Sequence, residues 1–207
     1  MKENEAIPEL PKQEVGAKTD IEASETLLDA AEARQFYQEA RQRFLDVNRW
    51  HDLTGLMTAS FQITDENGND VNRPIQVRDH FKIDIPGPGN STGDGYDWVQ
   101  VERIEEKVDE ELDSESIIMT VRPAHNPTTA KEDIAHFFSD DATSNFMLMR
   151  EKNHITAGVH GRNEVPNTGE TGSLLDKARN AIVGTTALLG FSNAQWSTLV
   201  NAWLGKK

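Results

Sequence analysis

Met57-Thr58-Ala59-Ser60-Phe61-Gln62-Ile63-Thr64, followed at once by Asp65-Glu66-Asn67-Gly68, is the stretch on which the fold turns. Met57, Ala59, Phe61 and Ile63 alternate with Thr58, Ser60, Gln62 and Thr64, so an extended chain presents one apolar and one polar face. Asn67-Gly68 accepts the positive φ angles of a tight turn and stands where the alternation stops. The reading is a half-buried antiparallel strand that enters a hairpin.

Further along the chain the signal recurs. Residues 70–77 read as a weaker strand in which Pro74 suits a sheet edge, and His80 to Ile85 alternates with Phe81, Ile83 and Ile85 on one side. Tyr96 to Ile104 and Ser116 to Arg122 are two strands joined by the acidic stretch ERIEEKVDEELDSE. Trp98 beside Val99, and Ile117-Ile118-Met119, put apolar groups on both faces, which marks these strands as central. Residues 123–141 read as a connection with a short helix around 129–138. Asn145 to Arg150 and His154 to His160 are further strands, with Glu151-Lys152-Asn153 as the tight turn between them. Gly161 to Gly172, GRNEVPNTGETG, is a loop rich in turn formers.

The two ends are helical in this reading. Residues 1–20, with Pro8, Pro11, Gly16 and scattered charge, form a disordered acidic tail ahead of a single domain over 21–207. Ala33, Phe36, Tyr37, Ala40, Phe44 and Val47 recur at three- and four-residue steps, giving an amphipathic helix from about 24 to 47. A second stripe, Leu174, Leu175, Ala178, Ile182, Thr185 and Leu189, gives a helix over 173–189 closed by Gly190. Ser192 with Gln195 begins a last short helix through Trp203. The fold class is therefore α+β: a largely antiparallel sheet of six or seven strands, an N-terminal helix and a C-terminal helical pair. By element order alone it resembles helix-grip folds, in which a curved sheet wraps a long C-terminal helix around a cavity, although the first strand of that arrangement is not evident here.

Charge excludes several functions. The 207 residues carry a net −14, concentrated at two places. Residues 1–32 hold three lysines against nine acids, and residues 102–115 two bases against eight acids, so the remainder is nearly neutral. With no basic cluster to neutralise phosphates, binding to nucleic acid or to an anionic membrane is not expected. The absence of cysteine removes disulfides, thiol nucleophiles and thiolate metal sites. The longest apolar run, Ala181 to Phe191, is far below the roughly 20 residues of a membrane span, and the N-terminus lacks an apolar signal core. The expected location is cytoplasmic.

The chemistry-bearing residues are scattered. His154 and His160 lie on one side of a strand but six residues apart, about 20 Å, so they cannot share a metal. His125 and His136 occupy one connection without an HExxH spacing, and Ser139-Asp140-Asp141 near His136 lacks a nucleophile elbow. Pro86 to Gly95 has four glycines but neither GxGxxG nor GxxxxGK[ST], and a strand rather than a helix follows, which leaves a plain connection or a lid. Asp84, Asp94, Asp97 and Glu102 flank that loop without a calcium-loop pattern. No metal or cofactor is expected.

Gly161-Arg162-Asn163-Glu164 is the most suggestive segment. It leaves a strand for a loop, Arg162 suits a carboxylate or phosphate, and Glu164 suits a base. The plainer reading is that Arg162 and Glu164, two apart on one side of an extended segment, pair with each other. Arg122, Arg150 and Arg179 stand in or beside apolar elements, where a buried guanidinium needs an acid or a ligand anion. The expected ligand-binding set is Arg162, Asn163, Arg179, Trp98 and Arg150, and the candidate catalytic groups are His136, His160 and Glu164.

These residues support three functions. The first is a small, partly apolar ligand held between the sheet and the C-terminal helix. The second is a hydrolase or isomerase in which His136 or His160 meets Glu164 and Arg162. The third is an interaction or assembly module, homo-oligomer included, that works through the acidic tail and N-terminal helix.

Overall fold

The computed structural model describes residues 9–54, 59–85, 89–168, 180 and 191–206. A seven-stranded antiparallel sheet is its frame. In chain order the elements are β1 (Ala17–Thr26), α1 (Ala30–Leu45), a single 3-10 turn (Val47–Arg49) leading into α2 (Trp50–Thr54), β2 (Ser60–Thr64), β3 (His80–Asp84), β4 (Asp97–Asp109), β5 (Ser114–Pro123), β6 (Thr143–Glu151), β7 (His154–Glu164) and α3 (Phe191–Trp203). The strands lie in the order β1-β7-β6-β5-β4-β3-β2, so every neighbour pair but one is a sequential hairpin. The exception joins the first strand to the last: Ile21 stands opposite Val159 and Ala23 opposite Ala157.

β1 supplies the strand the sequence did not reveal. Ala17 to Asp20 fall within the stretch expected as tail, and Ser24 to Thr26 within the helix expected from about 24. The alternation is real but mostly polar, with Thr19, Ile21 and Ala23 turned inward and Lys18, Asp20, Glu22 and Ser24 outward. Two alanines and one isoleucine are too little for a periodic signal, and the mostly charged outward row suits an edge strand that must not pair with another molecule. The helix consequently starts at Ala30. Asp29 caps it by accepting the Glu32 amide at 2.9 Å, and the Glu32 carboxylate accepts the Leu28 amide at 3.1 Å.

Three further expectations change. Residues 70–77 form no strand; Asp70 makes an isolated bridge to Thr64 and the chain then leaves the sheet towards Pro74. Residues 129–138 form no helix but an irregular span tied down by bridges His125–Ile134 and Phe138–Pro166. β7 continues to Glu164, because β1 is there to pair with it, so the segment expected as the start of a loop is strand. Of the helix expected over 173–189 only Asn180 is among the described residues, and Met57 and Thr58 lie outside them.

The core sits on the inner face, between the sheet and the helices. Ala33, Tyr37, Ala40 and Phe44 of α1 and Leu199, Val200 and Trp203 of α3 pack there against Val101, Ile117, Met119, Phe146, Leu148, Ile155 and Ala157. Trp50 is its centre, with ring centroids of Phe146, Trp203 and Phe61 at 5.1, 5.3 and 5.4 Å. The indole N–H of this buried ring donates to the carbonyls of Arg43 and Phe44, each at 3.2 Å, so the ring's own polar group is paired. Ile118, Met147 and Trp98 alternate with the inner set and are buried on the opposite, outer face, in line with the central placement of β4 and β5. No described helix is long and apolar enough to cross a membrane.

Candidate functional site

A row of polar side chains crosses the outer face at one level of the sheet. Register places Asp20 of β1 opposite His160 of β7, His160 opposite Asn145 of β6, Asn145 opposite Thr120 of β5, and Thr120 opposite Arg103 of β4. The His160 Nδ1–H donates to Asp20 at 2.9 Å, and Asn145 Nδ2 donates to the His160 carbonyl at 2.9 Å. Thr120 Oγ1 donates to Asn145 Oδ1 at 2.9 Å and accepts from Arg103 at 3.4 Å. Asn145 is fully buried and Thr120 and His160 nearly so, so these bonds form in a medium where a missing partner would be costly. Burial tends to raise the Asp20 pKa, but hydrogen bonds from His160 and Arg162 outweigh it and hold the carboxyl below its ordinary value. Arg162 reaches Asp20 at 2.7 Å and also donates to the carbonyls of Gly161 and Thr19.

Asn163 changes which face the next residue occupies. Its φ of +56° makes a bulge, and the register between β1 and β7 shifts there, from Thr19 opposite Gly161 to Ala17 opposite Glu164. Glu164 therefore does not share a face with Arg162. Its carboxyl folds over Gly161 on the inner side, where a β-carbon on that glycine would run into it. Thr19 Oγ1 donates to Glu164 Oε2 at 2.9 Å, and among the described residues no basic side chain forms an ion pair with this carboxyl. Burial pushes the Glu164 pKa up, against the Thr19 hydrogen bond and the positive charge of Arg162. The expected Arg162–Glu164 pair is replaced by Arg162–Asp20 on one face and Thr19–Glu164 on the other.

His136 sits at the loop end of the sheet, buried, in a clasp of asparagines. Its Nδ1 accepts the Phe138 amide at 2.9 Å, which leaves the ring proton on Nε2, and the ring stacks on Phe137 at 4.2 Å. Its carbonyl accepts from Asn167 and Asn180, and Asn180 also donates to the Asn167 carbonyl. Asn90 to Asp97 and Asn126 to Asp94 tie the neighbouring loops together. The groups a hydrolase would assemble are thus distributed: His160 and Arg162 on the outer face, Glu164 on the inner face, His136 held by its own loop.

The other expected ligand residues are committed to structural contacts. Arg150 is buried and spends its donors on Glu115, on Asp113 and on the carbonyls of Asp113 and Lys152. Trp98 lies on the outer face and its indole N–H donates to the Gly93 carbonyl at 3.0 Å. Asn163 grips the chain ahead of β1: its Oδ1 accepts the amides of Glu14 and Val15 at 2.8 and 3.1 Å, and its Nδ2 donates to the Lys12 carbonyl at 3.2 Å. Arg179 lies outside the described residues. Among the described residues no three His, Asp or Glu side chains cluster as metal ligands. Sequence reasoning missed Asp20, Thr19, Asn145, Thr120 and Arg103. Only the sheet register aligns them, and that register hangs on β1.

No family model matches the sequence, and no curated protein does. Solved structures of similar shape do exist. An aromatase/cyclase from Streptomyces sp. R1128 has a TM-score of 0.40 at 9% identity, covering 91% of this chain and 93% of its own. Norcoclaurine synthase from Thalictrum flavum has a TM-score of 0.40 at 9% identity, over 96% and 95%. The allergen Ara h 8.0201 has a TM-score of 0.33 at 12% identity, over 92% and 100%. These similarities run along nearly the whole chain, but at such scores they bring no activity, ligand or residue role to this protein.

Proposed function

We propose that this chain binds a small, partly apolar molecule on the inner face, between the sheet and the C-terminal helical segment, with Glu164 as its polar anchor. The observation that carries the reading is the Glu164 carboxyl. It is 7% exposed, bonded to one hydroxyl, shifted towards its neutral acid form and set beside a glycine that leaves it room. A buried carboxyl of this kind offers a hydrogen bond to a ligand's polar group, while the apolar sheet residues nearby, Val159 and Ile21 among them, take the ligand's body. A hydrogen-bonding anchor in an apolar setting fixes orientation and selects for a ligand that carries a polar group.

The test is native mass spectrometry of the protein purified gently from cells, read against its denatured mass. Extra mass lost on denaturation, and reduced in Glu164→Gln, is the expected result. A bare mass, together with failure of apolar carbonyl compounds to shift the melting temperature of either protein, overturns the proposal.

A further inference from the structure

The segment ahead of β1 is a strap laid across the outer face. At one end Asn163 of β7 holds residues 12 to 15 through three side-chain bonds; at the other the Arg103 guanidinium of β4 donates to the Glu9 carbonyl at 3.0 Å. Four residues of extended chain cover about 13 Å, and three strand spacings about 14 Å, so the strap runs across the strands rather than along them. Both anchors are irregular: Asn163 is a bulge in β7, and the β4 register shifts between Val101 and Arg103. Bulges re-aim side chains, and here each aims one at the strap.

Between strap and sheet lies a groove of about 500 Å³, walled by Leu10, Pro11 and Lys12, with Arg103 and Thr120 beneath. Its cations are under-used. Arg103 donates to the Glu9 carbonyl at 3.0 Å and makes only long contacts, at 3.4 Å each, to Thr120 Oγ1 and to the Glu105 carboxylate, and Lys12 has no ion pair among the described residues. Of the two acids at the groove, Glu102 is taken by Arg122, at 2.5 and 3.3 Å. Thr120 is nearly buried and fixed from behind by Asn145. A half-buried guanidinium on the floor and an ammonium on the strap, beside an apolar lip of Leu10 and Pro11, match an anionic head on an apolar body.

We propose that this groove is a second binding site, specific for an organic monocarboxylate with an apolar tail. The carboxylate lies between Arg103 and Lys12, the tail lies along Leu10 and Pro11, and Glu9 at the rim disfavours a second negative charge. Because the strap provides one whole wall, occupancy holds it closed.

The probe is 3-phenylpropionate, compared with the neutral 3-phenylpropanol, followed by amide chemical shifts and by the rate of tryptic cleavage after Lys12. The acid is expected to shift residues 9–12 and 103, to slow cleavage, and to bind at least ten-fold more tightly than the alcohol. Arg103→Gln is expected to lose that preference and Lys12→Gln, a fully surface change, to weaken it several-fold, while Glu164→Gln leaves it intact. Equal binding of acid and alcohol, shifts confined to the inner face, or unchanged affinity in both Arg103→Gln and Lys12→Gln overturns the proposal. Because Glu164→Gln tests the inner-face site alone, the two sites fail independently.

Discussion

Replacing Asn163 with glycine releases the strap without disturbing the bulge. Glycine adopts a φ of +56° at no steric cost, and the Asn163 amide, which donates to Gln13 Oε1 at 3.0 Å, is retained. What is lost is three side-chain hydrogen bonds, to the amides of Glu14 and Val15 and to the Lys12 carbonyl. All three are exposed, so about 0.5–1 kcal/mol each is appropriate, or roughly 1.5–3 kcal/mol for strap docking. At a factor of ten per 1.4 kcal/mol, the Glu14 and Val15 amides should exchange roughly ten- to a hundred-fold faster in Asn163→Gly. Amides in the β5–β6 ladder should keep their wild-type rates, since the core does not depend on the strap. Hydrogen exchange read by NMR is the assay. If the Glu14 and Val15 amides exchange no faster in the variant, or if they already exchange at unfolded-chain rates in the wild type, the latch is not what holds the strap.

Glu164→Gln should flatten the pH dependence of stability. The folded-state pKa lies above the ordinary 4.5, so the contribution is complete below that value and lost as pH rises through the folded one; by urea unfolding from pH 4 to 8, the variant should equal or exceed wild type at the alkaline end. Asp20→Asn should behave with the opposite sign. The Asp20 pKa is held below 3.8, so its contribution exists above that range, and the variant's deficit at pH 7 should close as pH falls below about 3.8. Trp50→Ala should cost about 3–5 kcal/mol, because the ring is fully buried among Phe61, Phe81, Phe146 and Trp203. A calorimetric drop in melting temperature of less than about 5 °C would remove Trp50 from the centre of the core.

What could be read from the residues depended on whether apolar side chains marked the element. β2, β3, the central pair and α1 each carry an alternating or helical apolar set, and each is found where that set lies, although α1 starts six residues later and β4 ends five residues later than the pattern indicates. β1 escapes the pattern because its inward positions are Ala17, Thr19, Ile21, Ala23 and Glu25, with Ile21 the one large apolar side chain. That omission spread. Without β1 there is no partner for residues 161–164, so the end of β7 read as loop, and Arg162 and Glu164 were set on one side. No alternation rule anticipates the bulge at Asn163, which needs a positive φ that asparagine tolerates but does not announce. Glu164 and His160 were found as candidates by residue type; their separation onto opposite faces, and the strap, were visible only in three dimensions.

The pairing of β1 with β7 also sets a schedule for synthesis. Ala17 stands opposite Glu164, 147 residues later in the chain, so the ladder between β1 and β7 must wait until β7 has been made. At about 5–20 residues per second, the first strand leaves the ribosome roughly 7–30 s before its partner. Closing a loop of that length also costs roughly 4 kcal/mol of chain entropy, which favours zipping the local hairpins β2 to β7 first. During that interval β1 is an unpaired strand, and the row Lys18, Asp20, Glu22 and Ser24 that hid it from periodicity also makes it a poor template for aggregation.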